Sequence, residues 1–110
     1  MTACGEAAPA ADLAIRDVTV IDAVNGARPD RTVLVANGRI TAVVSSEEEV
    51  NAAEVLDGAG GYLIPGLWDF HVHLAYDQRF TDAMPGLFLS HGITSIRDTG
   101  GPMDPVLAAV

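Results

Sequence analysis

The feature that most constrains the fold is an Asn-Gly pair between two β-rich runs. Residues 32–36 read Thr-Val-Leu-Val-Ala, residues 39–44 read Arg-Ile-Thr-Ala-Val-Val, and Asn37-Gly38 lies between them. Asn and Gly accept the positive φ angles of a two-residue type I′ turn, so the segment predicts a β-hairpin. Further short β-rich runs on both sides predict a small sheet or part of a sandwich.

The same β-rich character extends over residues 12–64. The apolar positions change parity near Arg16-Asp17, which predicts a bulge or tight turn because a one-residue slip exchanges the two faces of a strand. The remaining predicted elements are loops at 25–26, 28–30 and 45–53, short strands at 54–57 and 62–64, and a flexible turn at 58–61.

From Pro65 onward the pattern changes to alternating strands and helices. A nearly continuous apolar run from Leu67 to Ala75 predicts a strand that is covered on both faces. It is followed by a predicted polar loop at 76–81, a helix at 84–91, a strand at 93–98 and a helix that begins at 105. This order predicts the beginning of an α/β unit with a parallel pair of strands.

The first of these strands carries the pattern Asp-x-His-x-His in Asp69, His71 and His73. Because side chains alternate along a strand, all three project from one side. Two imidazoles in that arrangement can converge on one cation, and neutral imidazole suits zinc and other borderline metals. Histidines that serve only hydrogen bonding are the alternative, but burying two imidazoles without partners is costly. We therefore favour a metal site.

Charge and composition exclude some partners. The 110 residues include 15 acids and 6 bases, for a formal charge of −9. A phosphate backbone needs a basic surface, so nucleic acid is not an expected partner. No stretch of the sequence approaches the roughly 20 apolar residues of a membrane span.

Cys4 is the only cysteine. Small residues precede it and a loose, alanine-rich run follows, which resembles the end of a bacterial lipoprotein signal without its basic and apolar regions. Two interpretations stay open for residues 1–11: a disordered N-terminus with an incidental cysteine, or a tether that anchors the protein to a membrane through lipidated Cys4. The second implies a periplasmic or membrane-anchored lipoprotein if a signal lies upstream, and the first a cytoplasmic protein.

Residues 65–74, Pro-Gly-Leu-Trp-Asp-Phe-His-Val-His-Leu, resemble the first-strand signature of the amidohydrolase superfamily of metal-dependent hydrolases. The hairpin at 37–40 and residues 92–101 are similar to other parts of that family. The resemblance implies an α/β plus β fold: the N-terminal half of a β-sandwich over 12–64, then over 65–110 the first two β/α units of an incomplete TIM-like (β/α)₈ barrel. The chain is accordingly expected to be the N-terminal fragment of a larger enzyme.

Within the family the sequence is most similar to the imidazolonepropionase-like and Xaa-Pro dipeptidase-like branch. Residues 75–78, Ala-Tyr-Asp-Gln, differ from the turn that usually follows the motif in dihydroorotases and hydantoinases. The branch implies a small-molecule or dipeptide substrate, whose C–N bond in an amide, peptide or cyclic amide is hydrolysed by a metal-activated water.

The resemblance also implies residue roles. His71 and His73 would bind one divalent metal, with zinc favoured, of the one or two ions in the whole enzyme. Asp69 and Asp98 would either orient these ligands or satisfy nearby backbone amides, and His91 is expected to be structural. The family's later ligands are a carboxylated lysine or a glutamate, two histidines and an aspartate. The chain contains no lysine, so by itself it is expected to lack a complete active site.

Two other functions stay open. Metal phosphoesterases of the polymerase-and-histidinol-phosphatase type also open with Asp-x-His-x-His, but usually without such a long β-rich lead-in. A non-enzymatic, β-rich binding module would use the half-sandwich alone. A cupin fits less well, because position 65 is Pro rather than Gly and Asp77 stands where a glutamate is needed.

Overall fold

The computed structural model describes residues 11–74 and 77–101, and the predicted tether with Cys4 and the predicted helix from 105 lie outside this range. The chain divides into two units between Pro65 and Gly66, one residue beyond the predicted boundary. The elements are β1 Ala11–Asp22, β2 Gly26–Ala36, β3 Arg39–Ser45, β4 Ala52–Leu63, β5 Leu67–Val72, α1 Gln78–Thr81, α2 Met84–Ser90 and β6 Ile93–Asp98.

The first unit is a four-stranded sheet in the order β3-β2-β1-β4. The pairs β1–β2 and β2–β3 are antiparallel, whereas β4 runs parallel to β1. Val18, Val20 and Val33 are buried together and form the core of the sheet. Small β-branched side chains suit this position because they pack well on a pleated surface.

The predicted hairpin between β2 and β3 is confirmed. Asn37 has a φ of 52° and Gly38 a φ of 69°, the two positive angles of a type I′ turn. The N–H of Asn37 donates to Oδ2 of Asp12 at 2.6 Å, which ties the turn to the beginning of β1.

The predicted irregularity at Arg16-Asp17 is confirmed as well. The register of β1 shifts between Ile15 and Val18 against β2, and Asp17 has a φ of 52°. Facing the bulge on β4, Gly58 lies so close that a Cβ there would be 2.2 Å from Cγ1 of Val18. A glycine is therefore required where the bulged strand approaches its neighbour.

Two loop predictions in this unit were wrong. Residues 28–30 belong to β2, because Arg28 pairs with Val20 of β1. Asp30, with a φ of 54°, lies where the register between the two strands shifts. The two short strands at 54–57 and 62–64 are one strand, β4. Its parallel pairing with β1 continues across the glycine-rich segment, where Ala59 and Gly60 have φ values of 49° and 73°.

The second unit contains the predicted parallel pair, β5 and β6, with α1 and α2 between them in sequence. Helix α2 lies within one residue of its prediction, with a proline in its first turn and Gly92 just past its end at a φ of 77°. Strand β5 ends at Val72 rather than at residue 75. The predicted polar loop contains the short helix α1.

The described residues leave one face of β5 uncovered, as expected for a chain that holds only the beginning of a larger sheet. Trp68 and Phe70 on β5 are 60% and 63% exposed. A two-stranded sheet with two short helices offers too little surface to bury such side chains. Over residues 11–74 and 77–101, no helix is both long enough and apolar enough to cross a membrane.

Candidate functional site

The candidate site lies at the carboxyl ends of β5 and β6. In the register of the parallel pair, Val72 at the end of β5 lies opposite Asp98 at the end of β6. The carboxyl ends of parallel strands meet at one edge of the sheet, which is where α/β proteins place their functional groups. His71 and His73 are neighbours near this edge, and Asp98 contacts the residue after His73.

The two imidazoles of the motif are neighbours. The ring centroids of His71 and His73 lie 5.4 Å apart with an interplanar angle of 74°. On the other side of the strand, Trp68 and Phe70 stack with centroids 5.5 Å apart. The predicted alternation therefore places both imidazoles on one side, even though His73 lies one residue past the end of β5.

Asp98 connects the two strand ends. Its Oδ2 accepts the N–H of Leu74 at 2.8 Å, and its Oδ1 accepts the N–H of Gly100 at 3.0 Å. The N–H of Gly100, then that of Leu74, and more weakly the nearby His73 hold the pKa of Asp98 below its ordinary value. Asp98 is therefore an anion near neutral pH. The sequence is compatible with ligand orientation or with amide binding by Asp98, and in the structure its carboxylate binds two backbone amides.

The ring of His73 packs on the loop after β6. Its Nδ1 lies 3.2 Å from the carbonyl oxygen of Gly100, and a Cβ at Gly100 would lie 3.4 Å from Nδ1 and Cε1 of that ring. The backbone of Gly100 thus both contacts the imidazole and offers it a hydrogen-bond acceptor.

Thr99 connects the ends of the two strands through hydrogen bonds. Its N–H donates to the carbonyl oxygen of Val72 at 3.0 Å, and its hydroxyl donates to the same oxygen at 3.3 Å. Sequence reasoning missed Thr99 and Gly100 as contributors to the site. The signal that could have found them is their position directly after Asp98 at the end of a buried-type strand.

The other candidate residues have local roles. Oδ1 of Asp69 accepts the N–H of His71 at 3.0 Å, which fixes the backbone of the motif. Nδ1 of His91 lies 2.9 Å from the carbonyl oxygen of Leu87 and 3.0 Å from Oγ of Ser90, at the end of α2. This arrangement is the structural role that the sequence favoured for His91.

The described residues do not by themselves form a site of three or more metal donors. Over 11–74 and 77–101, no group of three or more His, Cys, Asp or Glu side chains is arranged to hold a metal ion. His71 and His73 fit as a two-donor set, since their rings are adjacent and His73 is oriented by a backbone carbonyl.

Sequence comparison finds relatives among enzymes that act on C–N bonds, although no protein-family model matches the chain. Adenine deaminase from Desulforamulus reducens is 30% identical over 86 residues, covering 78% of this chain and 14% of the relative. Dihydroorotase from Pelotomaculum thermopropionicum is 40% identical over 62 residues, covering 56% of this chain and 14% of the relative. The chain thus spans about one seventh of the length of these relatives.

Solved structures give the same picture. Molinate hydrolase matches with a TM-score of 0.71 and 28% identity, over 92% of this chain and 26% of the other. N-acyl-D-glutamate deacylase from Bordetella bronchiseptica, complexed with zinc and a phosphonate inhibitor, matches with a TM-score of 0.62 and 28% identity, over 78% of this chain and 18% of the other. The β-rich first unit corresponds to the N-terminal β-rich domain of such enzymes.

The comparisons bear unevenly on the predicted branch. The sequence of residues 75–78 suggested distance from dihydroorotases, and the 40% identity to a dihydroorotase gives that argument no support. Adenine deaminases and dihydroorotases both stand among the relatives. The imidazolonepropionase-like and dipeptidase-like assignment therefore stays a prediction.

Proposed function

This chain belongs to the amidohydrolase superfamily, and on that premise we propose that the protein hydrolyses a C–N bond of a small molecule or dipeptide with a metal-activated water. The observation that carries the proposal is the pair of adjacent imidazoles, 5.4 Å apart, at the carboxyl end of β5. Relatives named for the deamination of adenine and for dihydroorotate give the proposal its reaction class.

In this proposal His71 and His73 hold a divalent metal, and zinc is the favoured ion. Imidazole is a donor that suits zinc, and a zinc complex is among the similar structures. When bound, such an ion lowers the pKa of water towards neutrality and polarises a carbonyl group. The part of this chain in the chemistry is to supply two neutral nitrogen donors and to hold them on one side of β5.

We propose further that β5 and β6 are the first two strands of a (β/α)₈ barrel, whose first two β/α units are predicted over residues 65–110. In that fold the reacting groups stand at the carboxyl ends of several strands. A catalytic zinc usually has three protein ligands, so at least one donor besides His71 and His73 is needed. This agrees with the small share of the relatives that the chain spans.

The test uses the full-length protein, purified, stripped with a chelator and reloaded with zinc. We expect hydrolysis of at least one compound from a panel of adenine, dihydroorotate, N-acyl amino acids and prolyl dipeptides. That hydrolysis should disappear on chelation and return with the metal. Activity confined to phosphate monoesters would support the phosphoesterase instead. No activity on the panel or on phosphate monoesters, with full zinc loading, would contradict the proposed reaction class.

A further inference from the structure

We propose that Asp98 and the carbonyl of Gly100 form a device that sets which ring nitrogen of His73 carries the proton. Asp98 is in this account a positioning residue that acts through the backbone on both sides of the imidazole. The consequence for the metal rests on the proposed function, but the protonation of the ring does not.

The first step is the bridge that Asp98 forms. One carboxylate oxygen accepts the N–H of Leu74, the residue that follows His73, at 2.8 Å. The other accepts the N–H of Gly100, whose carbonyl faces His73, at 3.0 Å. A single side chain therefore fixes the backbone that carries the ring and the backbone that the ring contacts.

The second step is the choice of tautomer. A neutral imidazole has one N–H donor and one acceptor nitrogen. Nδ1 of His73 lies 3.2 Å from the carbonyl oxygen of Gly100, which can only accept a hydrogen bond. The favoured tautomer thus carries its proton on Nδ1 and its lone pair on Nε2. Backbone carbonyls orient metal-binding histidines in the same way in other proteins.

The third step explains why the residue is an aspartate. An ionised carboxylate is an acceptor at both oxygens, whereas the amide of asparagine has one acceptor and one donor group. Asp98→Asn must therefore turn its NH₂ towards the N–H of Leu74 or that of Gly100. In either orientation the amide NH₂ faces a backbone N–H, so two donors oppose each other. One of the two hydrogen bonds that residue 98 accepts is then lost.

The first unit offers a matched control in Asp57. Its Oδ1 accepts the N–H of Ala59 at 2.8 Å, the same two-residue spacing that Asp98 has with Gly100. The Asp57 side chain is exposed, and within residues 11–74 and 77–101 it has no hydrogen bond to another strand. Asp57→Asn keeps an oxygen for its local contact, so it reproduces the chemical change without breaking a bridge.

The experiment is a long-range ¹H–¹⁵N NMR spectrum of the metal-free, full-length protein at about pH 8, where an ordinary histidine is neutral. We expect the Nδ1–H tautomer for His73 in the wild-type protein and in Asp57→Asn. In Asp98→Asn we expect a mixture of tautomers and faster hydrogen exchange at Leu74 or Gly100. His91, which contacts the Leu87 carbonyl through Nδ1, serves as a reference that no variant should change.

Two results would overturn the inference: a wild-type His73 protonated on Nε2, or an Asp98→Asn spectrum identical to the wild type. The first decides the matter even if Asp98→Asn fails to fold. Zinc titration separates this inference from the proposed function. We expect Asp98→Asn to bind zinc about 10- to 100-fold more weakly and Asp57→Asn to bind as the wild type does. A changed tautomer with unchanged zinc affinity would uphold the positioning role and contradict zinc binding by His73.

Discussion

Oδ2 of Asp98 accepts the N–H of Leu74 across the two strand ends, at 2.8 Å. This bond links the residue after His73 to the end of β6, so the histidine pair does not depend on β5 alone. Asp98 and the loop after β6 contact the end of β5 and the residues that follow it through this bond, the two from Thr99 to the Val72 carbonyl, and the Gly100 carbonyl beside His73. The candidate site is therefore a property of the parallel pair.

The parallel pair depends on a close contact at its opposite end. A Cβ at Gly66 would lie 2.0 Å from Oγ1 and 2.8 Å from Cβ of Thr94. We expect Gly66→Ala to destabilise the protein by about 1–3 kcal/mol, because the added methyl group overpacks the start of β5 against β6. The free energy of unfolding is measured by urea denaturation, followed through Trp68, the only tryptophan of the chain.

Gly86→Ala is the control for this prediction. Nothing lies within 4 Å of a Cβ at Gly86, which is in α2, so the substitution should be neutral or stabilising by up to about 1 kcal/mol. Adding Thr94→Gly to Gly66→Ala should recover part of the lost stability. Equal stabilities of Gly66→Ala and the wild type would refute the close contact.

The β1–β2 hairpin should carry an acid-sensitive contribution to stability. Hydrogen bonds from the N–H and the side chain of Asn25 and the N–H of Val24, with the charge of Arg28, lower the pKa of Asp22 from 3.8 to about 2. The ionised carboxylate therefore stabilises the folded state fully above pH 3.8, and this contribution is lost as the pH falls towards 2.

We expect Asp22→Asn to lower the Tm at neutral pH and the difference from the wild type to shrink through that acidic window. Thermal unfolding at a series of pH values measures both curves. Glu49→Gln, in the exposed loop before β4, is the control for loss of one negative charge. A difference between Asp22→Asn and the wild type that stays constant down to pH 2 would contradict the role of the ionised carboxylate.

The exposed aromatic pair on β5 should limit the solubility of the isolated 110-residue polypeptide. Trp68 and Phe70 stack on each other but remain more than half exposed, and such apolar surface promotes association. We expect Trp68→Ser with Phe70→Ser to raise the soluble yield and reduce binding of a hydrophobic dye. Val24→Ser is the control, because Val24 is an exposed apolar residue in the turn of the other unit.

The same polypeptide should have no hydrolase activity, because the described residues provide only two adjacent imidazoles. The substrate panel used for the full-length protein measures this directly. Stoichiometric zinc retention together with hydrolysis of a dipeptide by the isolated polypeptide would show that the site is more complete than we infer.

Local features of the fold could be predicted from the sequence. The turn at Asn37-Gly38 and the bulge near Asp17 follow from residue types that accept positive φ or from a change of parity, and both are present. The continuity of β4 could not be predicted, because Gly58 and Gly60 look like a turn until the parallel partner β1 is known. Gly58 allows β4 to approach Val18 closely, and Gly60 has a positive φ where the pairing shifts register. Neither role can be recognised before the partner strand is known.

The same division applies to the candidate site. Alternation along one strand predicted that His71 and His73 lie on one side, since that depends on neighbours in sequence. The roles of Asp98, Thr99 and Gly100 depend on the register between β5 and β6, which no pattern within either strand specifies. Their part in the site therefore became visible only in the structure.

Zinc binding by three matched variants of the full-length protein tests the central claim most directly. His71→Gln and His73→Gln each remove one of the adjacent imidazoles, whereas His91→Gln removes an imidazole that contacts the end of α2. We predict that each of the first two lowers zinc affinity by at least about 10-fold, since loss of a ligand should cost no less than loss of a residue that orients one. His91→Gln should bind zinc as the wild type does. Wild-type zinc affinity and zinc content in both His71→Gln and His73→Gln would contradict the account.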